Sequence, residues 1–245
     1  MLALTAMFTT GAQADAHFIG TGTPIWNLAS PPPWDNVYPA AGDRAIFDRA
    51  GTGAVTNLLA NRNVGQLVFM APYTGPGFVS LTPPVTEGPI TLMGLPGLAA
   101  GDPVLGVDDQ VDQEIDLFDK MAVGGNQEWR ISSAQGSIRQ LNAVSGRGLN
   151  LNSFMLTLDP VHAANTFLLD DVISGTGGII VTGAGTVTMT VANTYSGGTF
   201  LNGGILSVAA DNNLGGAAGT LNFNGGTLRI TGTAFQNTAR TITWG

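Results

Sequence analysis

From Thr186 to Val191 apolar and polar residues alternate strictly. Val187, Met189 and Val191 fall on one side, and Thr186, Thr188 and Thr190 on the other. A period of two marks a strand with one buried face, and Thr and Val both favour the pleated backbone. Downstream the pattern returns at a fixed distance. Leu201-Asn202-Gly203-Gly204-Ile205-Leu206 and Phe223-Asn224-Gly225-Gly226-Thr227-Leu228 lie 22 positions apart. Read as strands, Leu206 and Val208 map onto Leu228 and Ile230, while Ile205 and Ser207 map onto Thr227 and Arg229. Apolar positions repeat and the opposite side varies. Stacked coils require this, with Leu206 over Leu228 in the core and Thr227 and Arg229 in water.

Between the strands stand glycine pairs: Gly197-Gly198, Gly203-Gly204 and Gly225-Gly226. They suit turns with positive φ, which a Cβ resists. Asn202 and Asn224 precede two of the pairs. Asn tolerates the same region, and stacked Asn side chains can hydrogen-bond along a ladder. A unit of this size cannot bury its apolar side alone, so neighbours must stack. The expected fold is all-β: a right-handed parallel β-helix, or solenoid, with a capped N-terminal end. About ten coils at roughly 4.8 Å each would give a rod of about 50 Å. The leucine-rich consensus and the Ca²⁺-binding nonapeptide are both missing from the sequence. An antiparallel sandwich would not need the period.

Four stretches are expected. Residues 1–16 read as a signal-peptide remnant, 17–82 as an N-terminal cap and first coils, 83–170 as irregular coils with an acidic segment, and 171–245 as the regular repeats. Pro31-Pro32-Pro33 excludes a helix there, and Gln66-Leu67-Val68-Phe69-Met70 reads as a short strand between turn formers. The acidic segment leaves two readings open. Val107, Val111, Ile115 and Phe118 suit one helix face, whereas Glu114-Ile115-Asp116-Leu117 alternates as a strand would.

Composition narrows the function. Charged residues are only 11% and Gly numbers 35, so Thr, Asn and Ser must cover the surface. A net charge of −8 with nine scattered bases argues against nucleic acid. Without cysteine there is no disulfide or thiolate site. Leu2 to Phe8 is apolar, and Ala12-Gln13-Ala14 and Ala14-Asp15-Ala16 are small-x-small cleavage signals, which points to export. The basic front of such a signal is missing, and the first basic residue is Arg44.

Ser174 to Leu228 closely resembles the autotransporter passenger-associated strand repeat. The match runs through Thr182-Gly183-Ala184-Gly185-Thr186 and Ala192-Asn193-Thr194-Tyr195-Ser196-Gly197-Gly198-Thr199. Trp26, Trp34, Pro39, Gly42-Asp43 and Ala45-Ile46-Phe47 are similar to the start of such passengers. Gly124-Gly125-Asn126-Gln127-Glu128-Trp129 is similar to a segment that often precedes the repeat. The resemblance implies an exported β-helical passenger on a Gram-negative cell surface or outside it. Its partner would be its own C-terminal β-barrel translocator, which needs many tilted strands absent from this chain. Stopping at Trp244-Gly245 in mid-pattern, the chain reads as an N-terminal fragment.

Candidate chemistry is sparse. His17 adjoins the expected cleavage site, and His162 has only Asp159 close by; no nucleophile elbow occurs. Asp108, Asp109, Asp112, Glu114 and Asp116 could supply oxygen ligands for Ca²⁺. On a strand, however, Asp112, Glu114 and Asp116 would stand about 7 Å apart along one face. A solvated acidic face is the simpler reading. The pairs Asp108-Asp109 and Asp170-Asp171 point to opposite faces and do not make a shared site. Trp side chains could stack on sugars, although Trp26 and Trp34 suit a cap. No residue is therefore assigned as catalytic, cofactor-binding or metal-binding, and no cofactor is expected. The expectation is a surface-displayed stalk or adhesin without catalysis, with host surface or glycan ligands. The alternatives are a carbohydrate-active β-helix enzyme (lyase or hydrolase) and a self-associating biofilm or filament component.

Overall fold

The computed structural model describes residues 15–17, 42–47, 55–56, 63–71, 77–80, 89–96, 103–117, 120–141 and 148–245. The path of one coil is clearest in mid-chain. Gln127–Ile131 lies in a first sheet, Ser137–Leu141 in a second and Gly148–Asn150 in a third. Met155–Pro160 then returns to the first sheet, parallel to Gln127–Ile131, with Gln127 beside Leu156. Repetition of this circuit builds sheets of eleven, eight and five strands. Among the described residues, all pairings are parallel except Leu95–Pro96 against Val104–Asp109. Such stacking is that of a parallel β-helix solenoid.

The 22-residue period is local. On the second sheet, Thr166 lies beside Thr186, Thr186 beside Ile205, and Ile205 beside Thr227. These steps are of 20, 19 and 22 residues. Earlier coils are longer: Gly77 lies beside Ile115, 38 residues on. Apart from a one-residue shift at Gly106, the strands keep register, so the extra residues fall in the corners. Leu206 does pair with Leu228 and Val208 with Ile230, as the repeat requires.

Alternation explains the core. In the second sheet Ile115, Ile138, Phe167, Val187 and Leu206 form one inward column, each fully buried. In the first sheet a column runs Ala45, Leu67, Val107, Trp129, Leu158, Val181, Leu201, Phe223, Trp244. Phe47 and Phe69 stack at 4.9 Å, and Phe223 and Trp244 at 4.7 Å. Burying a side chain of this size contributes about 1.5–3 kcal/mol, which no coil could gather alone. Trp244 stands at the column's last position and is 75% exposed.

The structure decides the acidic segment in favour of strands. Val104–Asp109 and Glu114–Leu117 lie in different sheets, with Val111 at the corner between them. The helical spacing of Val107, Val111 and Ile115 arises because strand and corner both turn apolar groups inward. At the N-terminal end, Asp15–His17 pairs with Arg44–Phe47. Leu2 to Phe8, Trp26, Trp34, the Pro31–Pro33 run, Pro39 and Phe118 lie outside the described residues.

Candidate functional surface

Corners and columns assign the motif residues to the interior. Gln127 and Trp129 both point inward; the indole Nε1–H donates to Gln127 Oε1 (3.3 Å), and Gln127 Nε2 donates to the Leu92 carbonyl (2.7 Å). Room comes from Gly106, where the register shifts. A Cβ there would fall 1.5 Å from Gln127 Oε1 and 2.9 Å from the indole nitrogen. Trp129 is fully buried and cannot stack on a sugar.

Further on, Asn193 Oδ1 accepts the Ile173 N–H (2.8 Å) from the coil before, and its Nδ2 donates to the Asn213 carbonyl (2.7 Å) in the coil after. Asn213 repeats the device: its Oδ1 accepts from Ala209 and Ala210 N–H, and its Nδ2 donates to the Val191 carbonyl (2.7 Å). The asparagine ladder therefore runs through Asn193 and Asn213, while Asn202 and Asn224 are exposed. Beside it, Tyr195 is fully buried and its hydroxyl meets Thr199 Oγ1 at 2.6 Å. Burial pushes that phenol up to about 12, against the opposing effects of Thr199 and Arg240. Arg240, 7% exposed, donates to the carbonyls of Gly215 (2.8 Å) and Gly216 (2.7 Å) and pairs with Asp211 (3.0 Å). Apart from the Asn and Tyr letters of the repeat, nothing in the local pattern signalled these roles; Arg240 acts on a turn more than 20 residues upstream.

The five candidate acids are dispersed by the fold. Asp108 faces outward on the first sheet and accepts from Gln110 Nε2 (2.7 Å). Asp109 points inward between Phe69 and Ile131. Asp112 lies in the corner, off the face expected for it, and accepts the Gln135 N–H (2.7 Å). Glu114 and Asp116 face outward on the second sheet, where Arg139 of the next coil holds both, at 2.8 Å and 2.6 Å. Asp116 is only 2% exposed, although it points away from the core, and its hydrogen bond with Arg139 raises the Arg139 pKa, with its charge adding to the effect. Among the described residues, no three His, Asp or Glu side chains gather as a metal site. On the first sheet Arg130 lies between Glu128 (2.9 Å) and Asp159 (3.7 Å). Burial, then Asp159, raises Glu128, while Arg130 lowers it.

The histidines lie on different elements. His17 ends a strand beside Ile46. His162 is exposed in a corner, its N–H donating to Asn165 Oδ1 (2.8 Å). Asp159 is turned towards Arg130. Asp170 accepts from the Thr190 hydroxyl, whereas Asp171 is buried and accepts the Val172 N–H (2.7 Å). The adjacent acids do part, as strand alternation requires. Among the described residues, two shallow grooves lie on the outer surface. One of about 350 Å³ lies on the third sheet between Lys120, Gly148, Asn150 and Val172. The other, of about 360 Å³, lies on the first sheet among Val104, Glu128, Met155, Thr157 and Ile180.

A ladder-faced solenoid with its charges paired across coils is the setting for the comparisons with known proteins. Residues 179–208 match the family described as the passenger-associated-transport-repeat. Over 94 residues the chain is 36% identical to the adhesin BmaC autotransporter of Brucella suis biovar 1 (strain 1330). The aligned stretch is 36% of this chain and 3% of that protein, so the chain spans a small part of the relative it matches. No solved structure matches. The repeat and the relative support an autotransporter passenger segment, exported to the surface of a Gram-negative cell or beyond it.

Proposed function

We propose that this segment is a stalk whose outer ladders form an adhesive surface, displayed without catalysis and carried by a C-terminal β-barrel translocator of its own protein. The observation that carries this reading is the identity to an adhesin autotransporter over 94 residues. The outer faces are compatible with it. Ser137, Thr166, Thr186, Ile205 and Thr227 stand one per coil along the second sheet, with coils about 4.8 Å apart. Weak contacts repeated at such a spacing add up through multivalency and do not require a pocket. The ligand class proposed is a host-surface glycan or protein.

Binding of the purified 245-residue chain to immobilised host-cell surfaces and to glycan arrays tests this. Saturable binding, lost on thermal unfolding and unaccompanied by product release, is expected. Cleavage of an acidic or neutral polysaccharide by the chain, with no retention on any surface, would replace the adhesive reading with the enzymatic one.

A further inference from the structure

We propose that Asp109 and Ser133 form a proton-dependent latch between two successive coils, closed when the carboxyl is protonated and donates to the Ser133 hydroxyl. Asp109 ends the strand Val104–Asp109, and its side chain enters the core between Phe69 of the coil before and Ile131 of the coil after. It is fully buried. Its Oδ1 accepts the Val111 N–H at 3.1 Å, which folds the corner, while its Oδ2 has no hydrogen-bond partner. Ser133, 8% exposed in the next corner, also has a hydroxyl without a partner. A Cβ on Gly136 would lie 2.2 Å from Ser133 Oγ and 2.8 Å from Asp109 Oδ2, so the two oxygens are at most 5.0 Å apart. Glycine is needed there because both oxygens border the same space. A buried polar atom left alone is costly; the carboxyl proton pairs the two atoms without a charge, whereas a Ser133 hydroxyl donating to the ionised carboxyl would leave a charge that burial disfavours.

The surroundings favour the acid form. Burial pushes Asp109 up to about 8, helped by Asp108 and Asp112 and opposed by the Val111 N–H. The strand Gln66–Phe69 brings no titratable group, and neither do Ser132, Ser133, Ala134, Gln135 and Gly136 of the facing corner. Glu128 and Arg130, on the strand with Ile131, face outward and pair with each other. No cation on these elements therefore offsets an Asp109 charge. Because the folded-state value lies above the unfolded one, stability is fully present below the unfolded value and is lost as pH rises through about 8. A chain exported from the cell meets the pH of its surroundings, so this corner tightens in acid.

Denaturant unfolding of the 245-residue chain from about pH 5 to about pH 9 tests the pH dependence, with D109N as reference. Relative to D109N, the folded-to-unfolded ratio of the natural chain is expected to fall about tenfold per pH unit up to about pH 8, the slope for one proton. The carboxamide that replaces the acid in this variant keeps a donor at every pH. Infrared spectroscopy tests the partner: the protonated-carboxyl C=O stretch should vanish in D109N and move to higher frequency in S133A, where the acceptor is gone. Parallel pH profiles for the natural chain and D109N would overturn the latch. So would a carboxyl band that S133A leaves unmoved. The infrared comparison of S133A with the natural chain holds even if D109N fails to fold.

Discussion

Asn193 turns its carboxamide inward at a corner and serves two coils at once, through the Ile173 N–H and the Asn213 carbonyl. Alanine there leaves both groups buried and unpaired, at about 1–3 kcal/mol each. Asn193→Ala is expected to lower stability by about 3 kcal/mol, read from the denaturation midpoint, whereas exposed Asn212→Ala changes it by less than about 0.5 kcal/mol. A midpoint for Asn193→Ala within error of the natural chain would show that the ladder carries no stability. That Asn lies in the repeat was legible in the sequence. Its role was not, because a buried Asn and a turn Asn read alike until the coils are stacked. Asp109 was half hidden: alternation set it opposite to Asp108, and only the sheet register shows which of the two enters the core.

Strands and corners, the elements, were read best where alternation was clean. Thr186–Met189 and Ile205–Val208 lie where the pattern set them. The acidic segment was ambiguous because two strands joined by a short apolar corner imitate a helical period. Two of its charges, Glu114 and Asp116, stand on the second sheet, where Arg139 neutralises them from the next coil. Arg139→Ala strands the nearly buried Asp116 charge. With Arg139 itself 31% exposed, water offsets part of the loss, and a cost of about 2 kcal/mol is expected. Since arginine already holds these acids, the melting temperature should be the same in a chelator and in millimolar Ca²⁺. A rise in Ca²⁺ would restore the acidic segment as an ion site. Corners set a second test. Gly183 has φ +67°, and a Cβ there would lie 2.3 Å from the Pro160 carbonyl oxygen, while at Gly216 the nearest atom is 3.5 Å away. Gly183→Ala should therefore destabilise by about 2 kcal/mol or more, and Gly216→Ala by less than about 0.5 kcal/mol. Equal effects would contradict this corner geometry.

For the molecule as a whole, the repeat implied stacking, and parallel stacking is what the register has throughout the described coils. The period was legible only in the last third. Elsewhere corners of different length, such as the 38-residue step from Gly77 to Ile115, break it without disturbing the strands. Sequence comparison at a fixed offset misses coils of this kind, because loop length costs little while strand register carries the core. The acids, close in sequence, are separated because one coil passes through three sheets. Distance in this molecule should thus follow coil count and not residue count.

Spin-label distances measure that directly, and a chain without cysteine accepts labels only where they are introduced. Ser137 and Thr227 stand on one outer column four coil steps apart, through Thr166, Thr186 and Ile205; Glu114 lies one step further. Labels at Ser137 and Thr227 should lie about 19 Å apart, and labels at Glu114 and Thr227 about 24 Å apart, at about 4.8 Å per step. Distances that are broad, longer, or unchanged by the added coil would contradict the stacked solenoid, and with it the ladder-faced surface on which the proposed adhesive role depends.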